Sequence, residues 1–505
     1  MSSAETDSAV VASRGVSYLT IQTVATSVVQ IVSFAILARI ITPAEVGILA
    51  ILSLVLSLSQ SINGVAFQQS ATKFIGESDD KKVASAVFYQ TLRISAVIAI
   101  PVGIAIFLLA PWLALTMLGQ VTKSYLFRAL AVDLLISSGA LPVAIGALYG
   151  LKRFKVASAI GVGGIIFRQF LIILFIILLK DFVGLVYAWI LSDTAMFVAC
   201  TAYAFRIAGV QRAIFPVGKL LNFSWPLTIS SIISFGSSWF DRALLVLFVP
   251  LAALGIYNAA LTAFTVLNYI TNAIGNVLLP VYSGMSGRNR IEGCKRATYL
   301  ASRYVSFTVT PLAFGLLATA RPALTLFVGQ AYVSGTEPLM ILCCFFALTL
   351  FGTALGPMLL ALGETRLSSL ITIVSIVAGL ASAALLLPIS GITGASIARS
   401  LVLVTTTALT FIVLHRQNAM KLDVQAIWKS LLAGAVMAGT LLLAQLIVYS
   451  RSMFPVYILA GGVIYLVALR LLKAVRKEDV DLIGRFLGPR LAFCSKIFGA
   501  IVLPD

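Results

Sequence analysis

Apolar runs separated by short polar segments fill the chain from about residue 16 to residue 473. A helix that crosses a bilayer needs about 20 mostly apolar residues. On that length the pattern predicts helices over 16–38, 44–66, 88–112, 124–148, 155–179, 182–205, 221–247, 252–280, 300–320, 336–361, 367–388, 391–414, 427–449 and 453–473. Hydrocarbon offers the backbone no hydrogen-bonding partner, so each segment must pair its own N–H and C=O groups as a helix. The expected fold class is an all-α polytopic membrane protein of about 14 transmembrane helices. The polar, acidic start, Met1 to Ala12, lacks the basic residues and early apolar core of a signal peptide, so the run from about Val16 is expected to be a retained first helix.

Composition strengthens this picture. Of the 505 residues, 60% are hydrophobic and only 11% are charged, and the mean hydropathy is +1.05. A soluble domain carries roughly 25% charged residues. The formal charge of +18 could suggest nucleic acid, but its distribution points to lipid headgroups, and no nucleic-acid partner is expected. With the N-terminus placed in the cytoplasm, the alternating cytoplasmic segments collect most of the Lys and Arg. They include Lys73, Lys81 and Lys82; Lys152, Arg153 and Lys155; Arg206, Arg212 and Lys219; Arg288, Arg290, Lys295, Arg296 and Arg303; and the tail. The other side holds only Arg39, Lys123, Arg128, Lys180, Arg321 and Arg451. This asymmetry predicts both termini in the cytoplasm of a cell membrane, facing anionic lipids. The segment 474–505 alternates basic residues such as Arg476, Lys477, Arg485 and Arg490 with Leu482, Phe486 and Phe493. It is expected to be a basic amphipathic tail on the inner leaflet.

Three matches between distant segments share nearly one offset. Pro43 to Gly47, between the first two helices, is similar to Pro250 to Gly255, between the seventh and eighth; Gly47 and Gly255 are 208 residues apart. Gly150 and Gly363, 213 apart, close the fourth and tenth helices, and Gly184 and Gly394, 210 apart, open the sixth and twelfth. The repeat predicts two six-helix lobes, 16–212 and 213–416, entering the membrane from the same side. The expected division is completed by an N-terminal segment 1–15, two appended helices over 417–473, and the tail. Two such lobes facing each other form a cleft, and rocking opens it to either side.

A few charges fall inside the predicted helices: Arg93, Asp133, Arg168, Asp193, Asp241, Arg242 and Arg399. A charge at the bilayer centre costs roughly 2.5–3.5 kcal/mol on insertion scales, so it faces a cavity or a partner. Arg168, Arg399 and Arg93 are candidates for a cationic cleft wall, because planar guanidinium groups bind phosphate through paired donors. Asp133, Asp193, Asp241 and Arg242 are candidates for a gate or for ion coupling. The alternative for the central group is internal pairing, Arg168 with Asp193 or Asp133, to hold helices in register. Prolines 101, 142, 226, 280, 311 and 357 interrupt apolar helices and suit mobile bundles. No Gly-Lys-Ser/Thr phosphate loop occurs. Neither the cysteines at 200, 294, 343, 344 and 494 nor the single His415 suggests a metal site. No catalytic residue and no cofactor are expected.

Several strings carry a resemblance. Leu37-Ala-Arg39-Ile-Ile-Thr-Pro43-Ala-Glu45-Val-Gly47, the pair Asp241-Arg242 followed by Leu254-Gly255-Ile-Tyr257-Asn-Ala-Ala260 and Leu279-Pro280, and Gly391-Ile-Thr-Gly394-Ala395 resemble polysaccharide flippases of the multidrug/oligosaccharidyl-lipid/polysaccharide (MOP) superfamily. The resemblance covers roughly residues 15–415. It implies a transporter rather than an enzyme, which turns over a polyprenyl-phosphate or -pyrophosphate-linked oligosaccharide by alternating access without ATP. The glycan and phosphate would enter the polar cleft, with the polyprenyl tail in lipid along the last two helices, as borrowed from the related lipid II flippases. Coupling to H+, Na+ or the membrane potential is an expectation, as is partnership with glycan polymerase or ligase machinery. A multidrug or cation antiporter of the same superfamily and a membrane-embedded glycan polymerase are the alternatives. Arg outnumbering Asp in the helices disfavours the first, and short external loops disfavour the second.

Overall fold

The computed structural model describes residues 3–78, 80–209, 215–287, 291–447 and 449–479. These residues fold into helices joined by short turns, with no strand among them. Thirteen helices among the described residues are long and apolar enough to cross a membrane. Large apolar side chains cover their outer faces: Val97 and Leu108 are each 70% exposed, and Ile447 is 85% exposed. Water would not tolerate such a surface, and lipid solvates it.

The chain divides into two compact units at Gly255/Ile256. The first contains α1 (Ser3–Ile40), α2 (Pro43–Gly76), α3 (Lys81–Leu118), α4 (Val121–Gly150), α5 (Phe154–Leu179), α6 (Val183–Ala208) and α7 (Val217–Phe248). The seventh helix is grouped here because it packs against α2. The core of this unit gathers Phe67, Phe74, Phe88, Val143, Leu148 and Leu220. Two of its helices carry a wide turn, at Gln60–Gly64 in α2 and Leu135–Ala140 in α4. Such π segments break the regular ladder and are frequent at functional sites.

The second unit takes up α8 (Leu251–Ser286) after its first turn and holds α9 (Ile291–Ala318), α10 (Gln330–Leu348), α11 (Gly352–Ala361), α12 (Thr365–Arg416), α13 (Val424–Ile447) and α14 (Phe454–Leu471). The predicted helix 336–361 is broken after Leu348, before α11 begins at Gly352. The predicted helices 367–388 and 391–414 both lie within α12. A straight helix of that length would be about 78 Å long, over twice the hydrocarbon thickness. The chain breaks at Gly391, which has φ 54° and ψ −125°, a conformation that a side chain would strain. Just beyond it, a methyl group at Gly394 would strike the Leu386 carbonyl, so the two legs fold back on each other. Gly184, its repeat partner, opens α6 against Phe175 near the end of α5.

The conspicuous Thr-Pro-Ala-Glu-Val-Gly string has a local explanation. Thr42 caps α2: its hydroxyl accepts from the Glu45 N–H, and the Glu45 carboxylate accepts from the Thr42 N–H at 2.7 Å. Pro43 occupies the first turn, where no N–H is needed. Gly47 then lets the first turn of α8 come close. A methyl group there would strike the Leu251 carbonyl, and one at Gly255 would strike the Pro43 carbonyl. Each glycine meets the residue four places before the other, so the two matched strings touch reciprocally. The expected N-terminal segment is helical from Ser3. Of the expected amphipathic tail, 474–479 is described, and 480–505 lies outside the described residues.

Candidate functional site

Near the middle of α4, α5 and α6 the first unit brings three charged groups together, two of them buried. Arg168 on α5 is ion-paired with Asp193 on α6, and its Nε donates to Ser192 Oγ at 3.1 Å. The Asp193 side chain is 1% exposed, whereas Arg168 keeps 24% of its surface. Asp133 on α4 is fully buried and lies within electrostatic reach of both. The Ser137 hydroxyl is its neighbouring polar group, and Asp193 Oδ2 has no hydrogen-bonding partner. Two carboxyl groups thus share one guanidinium. An unpaired buried carboxylate is expensive, so it persists where something else neutralises it.

The neighbouring interior is polar and only partly satisfied. Ser137, one turn after Asp133 and third in the α4 wide turn, is buried with its hydroxyl beside the Asp133 carboxyl. Ser138 in the same turn bonds Ser59 of α2 at 2.8 Å. Asn63 Nδ2 donates to the Ser95 carbonyl at 3.0 Å, and Ser95 Oγ donates to the Gly139 carbonyl at 2.7 Å. Asn63 Oδ1 and Thr91 Oγ1 are buried and unpartnered. The two wide turns thus meet through small polar side chains, and their spare acceptors and donors extend the polar region around Asp133.

The other charged candidates do not join this group. Arg93 is exposed on α3. Asp241 is fully buried on α7 and accepts the Arg242 N–H at 2.8 Å. The Arg242 guanidinium donates to the Ser238 carbonyl at 2.7 Å and lies 3.6 Å from the Trp239 ring centroid. Arg399 is half-buried on the second leg of α12, in the other unit, and is engaged there.

One charged network escaped the sequence reading. Arg303, expected in a cytoplasmic loop segment, is 3% exposed on α9. Its Nη1 donates to Asp423 Oδ2 at 2.8 Å, its Nε to Asp479 Oδ1 at 3.0 Å, and its Nη2 to Asp479 Oδ2 at 2.5 Å and to the Ala474 carbonyl at 3.0 Å. Tyr304 and the Arg476 N–H add donors to Asp479. Asp423 also caps α13 through the Ala426 N–H at 3.0 Å. Burial pushes the Asp423 carboxyl up, but the Ala426 N–H and the Arg303 guanidinium outweigh it and hold the group below its ordinary value. Only the capping position of Asp423 ahead of an apolar run was visible in sequence. The long-range partners were not.

Among solved structures, the chain resembles the lipid II flippase MurJ in an inward closed conformation, with a TM-score of 0.72 at 12% identity over 92% of this chain and 98% of that one. It also resembles an inward-facing multidrug resistance MATE family transporter, with a TM-score of 0.65 at 17% identity over 82% and 95%. The fold is therefore that of a polytopic membrane protein built like these two transporters. Residues 36–337 match the family described as polysaccharide biosynthesis protein, and the chain belongs to that family. Two curated relatives are similar in sequence. The probable low-salt glycan biosynthesis flippase Agl15 of Haloferax volcanii is 25% identical over 242 residues, 48% of this chain. The succinoglycan biosynthesis transport protein ExoT of Rhizobium meliloti is 23% identical over 324 residues, 63% of this chain. The chain spans 51% and 63% of the lengths of these two relatives.

Proposed function

We propose that this protein is a flippase that carries a polyprenyl-phosphate or -pyrophosphate-linked oligosaccharide across the cytoplasmic membrane for surface polysaccharide, lipopolysaccharide or glycoprotein synthesis. Family membership supports the class, and two relatives named for glycan export support the substrate type. The observation that carries the reading at the level of residues is Arg168. It is a guanidinium held at mid-helix by a buried carboxylate, yet it keeps a quarter of its surface open. A group poised this way can exchange Asp193 for an anionic phosphate, with which it forms paired charge-assisted bonds.

In this reading the lobes 16–212 and 213–416 rock against each other and open a cleft to either side in turn, with both termini in the cytoplasm. Basic loops meet anionic lipid, and polymerase or ligase machinery receives the exported glycan. Arg93 and Arg399 serve as further cationic stations, and Asp241 with Arg242 as an outer gate. Asp133 and Asp193 form the coupling site. Uptake of H+ or Na+ neutralises them and frees Arg168 for substrate, and the membrane potential adds an outward bias on an anionic headgroup.

Deletion of the gene in its native host, with lipid-linked saccharides measured by mass spectrometry and for sidedness, tests the proposal. The expected result is one intermediate accumulating on the cytoplasmic face with loss of the matching surface glycan. Exposed but unpolymerised units would support a polymerase instead. Unchanged glycolipids with altered drug sensitivity would support an antiporter.

A further inference from the structure

The charges account for a phosphate, but nothing so far accounts for the sugar. Helix α8 offers a surface of a different kind. Between Asn258 and Asn276 it contains no charged residue, yet Asn258, Thr262, Thr265, Tyr269, Asn272 and Asn276 recur at spacings of four, three, four, three and four. At 100° per residue these six positions fall within a sector about 80° wide. Every residue of that sector over this stretch is polar. The stripe is about 27 Å long, close to the hydrocarbon thickness.

The rest of the helix divides as sharply. Tyr257, Leu261, Phe264 and Leu267 are buried and form the core face. Val266, Val277 and Val281 are exposed and form an apolar face on the far side of the stripe. The stripe itself is half-buried from Asn258 to Tyr269 and exposed at Asn272 and Asn276. Thr262 and Thr265 donate to the carbonyls of Asn258 and Leu261 at 2.8 and 2.7 Å, which leaves their oxygens as acceptors. An amide exposed to hydrocarbon without a partner costs several kcal/mol, so a line of them must face water or a polar ligand.

We infer that this stripe is the glycan-recognition surface of the transporter, contacting the uncharged sugar rings of the lipid-linked saccharide. The inference rests on the flippase reading above. Asn and Tyr each offer a donor and an acceptor and the two Thr hydroxyls an acceptor, which matches sugar hydroxyl groups. A phosphate calls for Arg or Lys, and a cationic drug for a carboxylate; the stripe has neither. The Tyr269 ring adds an apolar face on which a sugar ring can rest. The bordering valine face suits the occupant too: a saccharide on the stripe keeps its polyprenyl chain in lipid one face away.

The test compares wild-type protein with the Asn272→Leu/Asn276→Leu and Asn272→Gln/Asn276→Gln pairs in proteoliposomes. Both positions are exposed, so neither pair disturbs the core. The probe is the lipid-linked saccharide extracted from host cells lacking the gene, with sidedness read by an impermeant sugar oxidant. Binding of glycan-free polyprenyl phosphate is measured alongside. The Leu pair should slow saccharide transport about tenfold or more, since two hydrogen bonds are lost. The Gln pair should retain most of the activity, and polyprenyl phosphate should bind all three proteins equally. Unchanged transport by the Leu pair overturns the inference, and so does an equal loss of polyprenyl phosphate binding. Wild-type protein that moves no saccharide overturns the flippase reading first, and the stripe with it.

Discussion

Two arginines on membrane helices, one in each unit, separate structure from function. Arg303 has bonds from Nε, Nη1 and Nη2, two carboxylates around it, and 3% exposure. Arg168 has one carboxylate and one serine, an open quarter of its surface, and an unpartnered carboxylate oxygen beside it. The first network is nearly complete and ties α9 to the start of α13 and to the segment after α14. The second is unfinished, and an unfinished buried network persists where a mobile species completes it. A charge in a membrane protein is therefore read by how fully its partners satisfy it, not by its depth alone.

Substitution of each arginine sharpens that contrast. Arg303→Ala leaves Asp423 and Asp479 buried without their cation and should cost roughly 3–5 kcal/mol. Thermal unfolding in detergent would show this as poor yield or a large drop in Tm, and an unchanged Tm would break the comparison. Arg168→Ala should cost less, about 1–3 kcal/mol, because Arg168 pairs with a single carboxylate and keeps a quarter of its surface open. Adding Asp193→Asn should restore most of that stability without restoring transport, as a double-mutant cycle would reveal.

Smaller effects follow. Asp133→Asn removes the second carboxyl group and should change stability by no more than about 1 kcal/mol, while transport loses its dependence on the coupling cation. Transport that keeps the same ion dependence would remove Asp133 from the coupling site. The pH dependence of the Arg303 network is weaker still across the physiological range. Asp423 has a depressed folded value, so its contribution is full above about pH 4 and fades as the pH falls through that folded value. Melting curves should therefore be flat in this respect from pH 8 to pH 5 and fall only in acid.

Much of the fold was legible because the bilayer imposes a simple rule on length and hydropathy. The helices, the repeat and the glycines at 47, 184, 255 and 394 could be read from spacing. The breaks were harder. Nothing in the apolar pattern marks the wide turns in α2 and α4, where Asn63, Ser137 and Ser138 supply polarity without charge. Gly391 was visible as a glycine but not as a reversal. The charged centre was legible as a choice between pairing and cleft lining, and the structure places Arg168 on Asp193 with Asp133 nearby. Sequence pattern could not supply the partners of Arg303, because Asp423 and Asp479 lie more than a hundred residues away. The stripe on α8 was fully present as a four-three repeat of uncharged residues, but a search for intramembrane charge passes over it.

The most direct test of the central claim is complementation of the deletion strain by Arg168→Ala at normal expression, with sidedness of the lipid-linked saccharide as the readout. The account predicts a folded, inserted protein that leaves the saccharide on the cytoplasmic face, with Arg168→Lys only partly active because it keeps charge but loses paired geometry. Full restoration of surface glycan by Arg168→Ala would contradict it.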